Sequence, residues 1–418
     1  MSIFTPLIIL FLFILNFYLY RKKSYPKSFF IISNIFLVIY ILISIIIFYN
    51  NLSQGFTYGI LFGDVSGSHF CDEYKYYIDS DILLNHFKNG DFSLWLNKEL
   101  PIYEFVDPQG HASYGNYNIF VILLTLLKSI GITSVLDLIL LKIVVYIPTS
   151  IYLYKLSRIY LSEKFSLISL CIFSALPGFI LCNTLLMRDN IILCIIILLL
   201  YYILSKKINY KSMILIAILS LLLLEFRAYS VLVLIACIIF TFKNSNRIIT
   251  FKDIFYLIAI IGGIYFFVNF NFTTKHSNMF FSFFQINHLQ NIFTETFGSG
   301  FSMLIKLFYQ LVIQIIYVPP FFNFLNSGLI YLILYSIGNV LGTILTVISG
   351  LGFLYLIFKS KNPKIIYFIK FTIYFTVLTG LIVLSKDLFI INRIALMWLP
   401  LFIIILLYSI EQYKKGND

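Results

Sequence analysis

The chain has 418 residues, 60% of them hydrophobic and only 11% charged, with a formal net charge of +12. So little polarity cannot cover a water-facing surface on a chain of this length, which excludes a soluble globular fold and makes lipid the solvent for most of it. The basic excess is therefore read by its position along the chain and not as a nucleic-acid surface, because Lys and Arg gather in short gaps between apolar runs.

The first apolar run, over 3 to 20, has no basic segment before it and no small-residue cleavage site after it, so it reads as a span and not as a removable signal peptide. Arg21, Lys22, Lys23 and Lys27 follow it, which puts that gap inside and the N-terminus outside. A second span, 28 to 49, leads to the longest polar stretch, residues 50 to 116, on the outer face. Further spans are expected at 134 to 155, 165 to 184, 190 to 204, 212 to 224, 229 to 241, 253 to 269, 332 to 358, 365 to 384 and 395 to 410. The inner gaps carry Lys155, Arg158 and Lys164, then Lys206, Lys207 and Lys211, then Lys243, Arg247 and Lys252, then Lys359, Lys361 and Lys364. Lys414 and Lys415 put the C-terminus on the cytoplasmic side. The expected fold is an all-α polytopic membrane protein with about eleven transmembrane helices, forming a single domain over 1 to 418. Two apolar segments, 117 to 132 and 301 to 318, would upset the parity of these gaps if they crossed, so the first is expected along the outer interface and the second along that interface or re-entering. The large outer segments are then 50 to 133, a loop with its interfacial helix, and 270 to 331.

The first outer segment is the acidic part of a basic protein, with Asp64, Asp72, Glu73, Asp79, Asp81, Asp91, Glu99, Glu104 and Asp107. Most of these are expected to be solvated loop carboxylates. Asp72 and Glu73 differ because they open a segment with Tyr77, Ile82 and Leu84 at helical spacing. That spacing predicts a surface-lying helix with the pair at its N-terminus, where a carboxylate can accept a proton from a hydroxyl. Basic residues also stand at outer ends of spans: Arg188 beside Asp189, Arg227 near Glu225, and Arg393 at the start of the last span. Charge at the edge of lipid is expensive and is retained for a partner, and guanidinium forks match phosphate or pyrophosphate oxygens. Local pairing of Arg188 with Asp189 or Arg227 with Glu225, securing helix ends, is the alternative use. The cysteines (Cys71, Cys171, Cys182, Cys194, Cys237) and the histidines (His69, His86, His111, His276, His288) lack metal-ligand or disulfide spacing, and neither a metal nor a cofactor is expected.

With these features in place, the chain resembles the membrane-embedded glycosyltransferases of the GT-C class. The resemblance rests on Asp72 and Glu73 in the first large outer loop, on 117 to 132 as the interfacial helix after it, and on Asp189 in Leu186-Met187-Arg188-Asp189. The stretch from Leu176-Pro177 to Asp189, then Glu225-Phe226-Arg227-Ala228-Tyr229, and Arg393 to Pro400 look like bacterial surface-polysaccharide members. It covers about residues 50 to 240 well and the C-terminal half loosely. An additional N-terminal span departs from the pattern, as does the single proline in Asp107-Pro108-Gln109-Gly110-His111, where many relatives have a pair.

The resemblance implies glycosyl transfer from a polyprenyl-linked sugar to a glycan acceptor at the outer face of the bacterial cytoplasmic (inner) membrane. The partners implied are that lipid-linked sugar or oligosaccharide and membrane lipid, with no nucleic acid. Asp72, with Glu73 as its substitute, would act on the acceptor, and Asp189 would be a second acidic residue of the site. Arg188, Arg227 and Arg393 would bind the donor phosphate. An O-antigen polymerase joining lipid-linked repeat units is an alternative within the same chemistry. A polysaccharide or lipid flippase is an alternative of another class and would line an interior path with charge. The spans here hold Lys142 and, near their ends, Asp137 and Lys370.

Overall fold

The computed structural model describes residues 2–23, 25–60, 72–93, 119–205, 209–241, 328–360, 362–383 and 394–417. The described residues form helices and contain no strand. In chain order the helices are α1 (Phe4–Lys23), α2 (Lys27–Ser53), α3 (Asp72–Lys88), α4 (Ile119–Ser129), α5 (Val135–Arg158), α6 (Glu163–Ala175), α7 (Pro177–Thr184) and α8 (Asp189–Ser205). They continue with α9 (Tyr210–Thr241), α10 (Ile330–Lys359), α11 (Pro363–Val383) and α12 (Leu399–Asn417). The expected spans that fall on described residues lie mainly in helices, although 165 to 184 is divided between α6 and α7, 212 to 224 and 229 to 241 share α9, and residues 396–398 form a turn before α12. The span at 253 to 269 and the apolar segment at 301 to 318 lie outside them.

By length and composition, Phe4–Lys22, Lys27–Ser53, Val135–Arg158 and Ile330–Lys359 can each cross a membrane, and α6 with α7 adds another if that bent pair is one span. The segment expected at the outer interface contains α4, which has 11 residues. At about 1.5 Å per residue those 11 residues reach roughly half of a hydrocarbon core about 30 Å thick.

The helices group into two compact units. The first holds α1 to α8, α9 as far as Phe226 and α10 as far as Leu341; the second holds the remainder of α9 and α10 with α11 and α12. The chain passes from the first to the second within α9, where Arg227 departs from helical geometry at φ −163° and ψ 78°. That break falls between the spans expected at 212 to 224 and 229 to 241.

In the first unit, contacts sort the helix ends into two sets. At one end, Thr5 Oγ1 donates to Asp137 Oδ1 at 2.6 Å, and Ser2 Oγ donates to the same carboxylate, joining the starts of α1 and α5. Asn50, near the C-terminus of α2, donates to the Gly328 carbonyl at 3.3 Å and accepts from the Ile330 amide at 3.1 Å, meeting the start of α10. At the other end, Tyr25 and Phe29 lie 6.3 and 5.2 Å from the Tyr154 ring. There too Tyr152 and Tyr202 place their hydroxyls 3.2 Å apart.

Between the ends, α6 and α7 bend by 63° at Leu176–Pro177. Proline has no amide proton and its ring clashes with the preceding turn, so the helix cannot run straight through. The buried Tyr40 hydroxyl donates to the Ser174 carbonyl at 2.8 Å beside the bend. Gly338 of α10 packs against the start of α7, where a Cβ would come within 2.9 Å of the Gly178 nitrogen and 3.3 Å of Pro177 Cβ.

In the second unit, Phe240 stacks on Tyr374 at 5.5 Å and Phe353 meets Phe402 edge-on at 5.4 Å.

Candidate functional site

The site forms where α7 stops. The last regular bond of α7 runs from the Leu185 amide to the Leu181 carbonyl, 3.0 Å. A helix continued by one residue would pair the Leu186 amide with the Cys182 carbonyl. Here the Leu186 amide donates instead to Glu73 Oε1 on α3, and the Cys182 carbonyl accepts from Lys142 Nζ on α5 at 2.6 Å. The same ammonium donates to the Met187 carbonyl at 2.9 Å. Backbone groups that end a helix inside a protein need replacement partners, and charged partners are the strong ones.

The turn then feeds α8. The Arg188 carbonyl accepts the first bonds of that helix, from the amides of Ile191 and Ile192 at 3.1 and 3.2 Å, and Asp189 stands in the first turn. A carboxylate there is stabilised by the positive end of the helix dipole. Asn190 reaches back, donating to the Lys142 carbonyl at 3.2 Å. Arg188 and Asp189 are both buried, and the Arg188 guanidinium lies 6.0 Å from the centre of the Tyr76 ring. Tyr76 is one turn beyond Glu73 on the same face of α3, so that face meets the turn at two levels.

The expected helix over the acidic pair is observed, beginning at Asp72. Glu73 is 1% exposed while Asp72 is half-buried, so the two carboxylates of the pair occupy different environments. Asp79, expected among the solvated loop charges, is buried, as is Lys75 at i, i+4 spacing from it. The cause is that α3 is not a free surface helix: it packs along α4 on one side and against the turn on the other. Asp81 and Asp91 do stay partly exposed.

The packing of α3 on α4 is polar as well as apolar. Tyr76 meets Phe120 edge-on at 5.0 Å, and Thr125 Oγ1 donates to the Ser80 carbonyl at 3.3 Å. Lys128, its side chain fully buried, donates to the Tyr77 carbonyl at 2.8 Å, pairs with Asp81 at 2.7 Å and sits 3.5 Å over the Tyr77 ring. Burial lowers the Lys128 ammonium to about 8, with the Asp81 carboxylate opposing that shift. Burial, and then the Asp81 charge, pushes the Tyr77 hydroxyl up to about 12. At the far end of α3, His86 Nδ1 lies 2.6 Å from Asp91 Oδ2. Bonds from Ser93 and then from His86 hold the Asp91 carboxyl down at about 2.

Of the residues singled out in the sequence, Glu73, Arg188 and Asp189 come together around one turn, and Asp72 begins the helix that carries Glu73. Arg227 belongs to the second unit, where its guanidinium lies 5.9 Å from the Tyr229 ring centre. Arg393 lies outside the described residues. Sequence reasoning missed Tyr76 and the roles of Lys142 and Lys128. The i+3 spacing of Tyr76 from Glu73 could have marked it, and Lys142 stood out only as a charge inside a span. Among the described residues, no group of three or more His, Cys, Asp or Glu side chains could hold a metal ion.

No family model, curated protein or solved structure matches this chain.

Proposed function

We propose that this chain is a polytopic membrane glycosyltransferase with about eleven spans. It moves a sugar from a polyprenyl-phosphate or polyprenyl-diphosphate donor to a hydroxyl of a growing surface glycan, at the outer face of the bacterial cytoplasmic membrane. The observation that carries the reading is the meeting of α3, which begins with two carboxylates, and the turn that bears Arg188 and Asp189. An acid-base group and an anion-binding group on adjoining elements are what transfer from a phosphate-linked donor requires.

In this reading Asp72 takes the proton of the acceptor hydroxyl as that oxygen bonds to the anomeric carbon. The bond from that carbon to the donor phosphate oxygen breaks with its electron pair going to that oxygen, leaving polyprenyl phosphate from a monophosphate donor or polyprenyl diphosphate from a diphosphate donor. Arg188 stabilises the charge that develops on the phosphate, and Asp189 orients the acceptor or Arg188 itself. Glu73, whose carboxylate is already engaged by the Leu186 amide, holds the site together and leaves the proton to Asp72.

The flippase alternative needs charges that line a path through the bilayer. Two interior charges of the first unit are engaged locally, Asp137 by Ser2 and Thr5, and Lys142 by the carbonyls of Cys182 and Met187. That favours the enzyme.

The test is Asp72→Asn in the producing strain, which should abolish glycan extension at unchanged protein level; glycan of normal length would overturn the assignment. The lipid-linked intermediate left in a deletion strain separates the neighbouring readings. A truncated unit identifies a single-sugar transferase, a complete unit at the outer leaflet a polymerase, and a complete unit at the inner leaflet a flippase.

A further inference from the structure

We infer that Lys142 is a positioning residue, the cationic half of a two-charge clamp that holds the turn from Leu185 to Arg188 and thereby fixes Arg188 for a phosphate-bearing lipid. The inference rests on the proposed function for the identity of the ligand, and on geometry alone for the clamp. Where α7 ends, one amide and one carbonyl lose each other, the Leu186 N–H and the Cys182 C=O. The carboxylate of Glu73 takes the first and the ammonium of Lys142 takes the second.

The carboxylate comes from α3 and the ammonium from α5, so the open turn is gripped from two separate helices. Lys142 grips it twice, because its ammonium also reaches the Met187 carbonyl, one residue before Arg188. It is held in place in turn, since Asn190 of α8 donates to its own carbonyl. Glu73, Lys142, Arg188, Asp189 and Asn190 are all buried, so water does not compete well for these bonds.

An arginine that must meet a phosphate in one orientation needs a fixed backbone beneath it, and the step through Leu186 and Met187, where the helical bonding of α7 has stopped and that of α8 has not begun, would not supply one by itself. The clamp does. A hydroxyl has one proton to donate and could satisfy only one of the two carbonyls, whereas an ammonium donates up to three bonds and spans both.

The test uses the full chain in lipid nanodiscs with two readouts. The first is hydrogen exchange of the amides from Leu186 to Ile192 without ligand. Lys142→Met should speed exchange there by about tenfold or more, while the middle of α8 keeps its protection, and Lys142→Arg should restore most of it. Should Lys142→Met not fold, Glu73→Ala opens the same turn from α3 and should speed the same amides. Unchanged exchange in a folded variant of either kind overturns the clamp.

The second readout is binding of a polyprenyl monophosphate. Lys142→Met should weaken it about tenfold or more, with Lys142→Arg falling in between. Full affinity in Lys142→Met overturns the positioning role. A wild-type chain that binds no polyprenyl monophosphate, with exchange still responding as described, overturns the proposed ligand and leaves the clamp standing.

Discussion

Glu73 and Lys142 each hold one half of a hydrogen bond that α7 gives up, the carboxylate on the Leu186 amide and the ammonium on the Cys182 carbonyl. This relationship separates two roles for Glu73 that its place beside Asp72 leaves open. A group that accepts one backbone bond needs an acceptor oxygen, which an amide also has; a group that takes a proton needs a carboxylate. Glu73→Gln should therefore keep transfer activity within about threefold of wild type. Glu73→Ala, leaving the buried Leu186 amide without its acceptor, should cost about 1–3 kcal/mol of stability and most of the activity. Thermal unfolding in detergent and a transfer assay read the two effects. A Glu73→Gln protein that unfolds normally and transfers nothing would make Glu73 the proton acceptor.

The helices of this chain were readable because one solvent imposes one pattern. Lipid demands long apolar stretches with every backbone group bonded inside its own helix, and the basic gaps then mark where each stretch must end. The start of α3 at Asp72 was readable from the helical spacing of Tyr77, Ile82 and Leu84 after it, and the break of α9 at Arg227 falls where charge interrupts two apolar stretches. Partnership was not readable. Nothing local to Lys142 says that it faces the end of α7, forty residues later, and nothing local to Asp79 says that it will be buried. Those facts depend on how helices pack, and hydropathy reports only that they do.

Gly338 tests the packing of the first unit directly. A methyl group there would stand 2.9 Å from the Gly178 nitrogen, a backbone atom that cannot swing aside, so Gly338→Ala should destabilise by about 1–3 kcal/mol. Gly350 lies on the same helix with nothing within 4 Å of the equivalent position. There the helix propensity of alanine acts alone, and Gly350→Ala should gain up to about 1 kcal/mol. Opposite shifts of the unfolding midpoint are expected from a pair of identical substitutions on one helix; equal shifts would contradict the close approach.

The two sets of helix ends make a prediction about sidedness. Ser2, Thr5, Asp137 and Asn50 fall in one set, and Tyr25, Tyr152, Tyr154 and Tyr202 in the other, the latter beside the basic gaps expected inside. A reporter that functions only outside the cytoplasm should be active when fused after Lys128 and inactive when fused after Ser205. The reverse result would invert the topology, and activity at both points would mean that α4 or α8 is placed wrongly.

Lys128 links pH to the latch between α3 and α4. Its ammonium is held at about 8, below the 10.5 of an unfolded chain, chiefly because it is buried. Between pH 8 and 10.5 the unfolded chain therefore binds more protons at this residue than the folded chain, and the Lys128 contribution to stability rises with pH across that window. Below pH 8 both states are protonated and the cost of burying the charge is felt in full. Tyr77, raised to about 12 from 10.0, acts in the opposite direction above pH 10, because the unfolded chain then loses its proton first. The clean interval is pH 8 to 10. Over it, the unfolding midpoint of the wild type should climb relative to that of Lys128→Met, whose side chain fills the same space without a proton to lose. A wild-type midpoint that stays level or falls relative to that of Lys128→Met over this interval would show that Lys128 is not buried as a charge between α3 and α4.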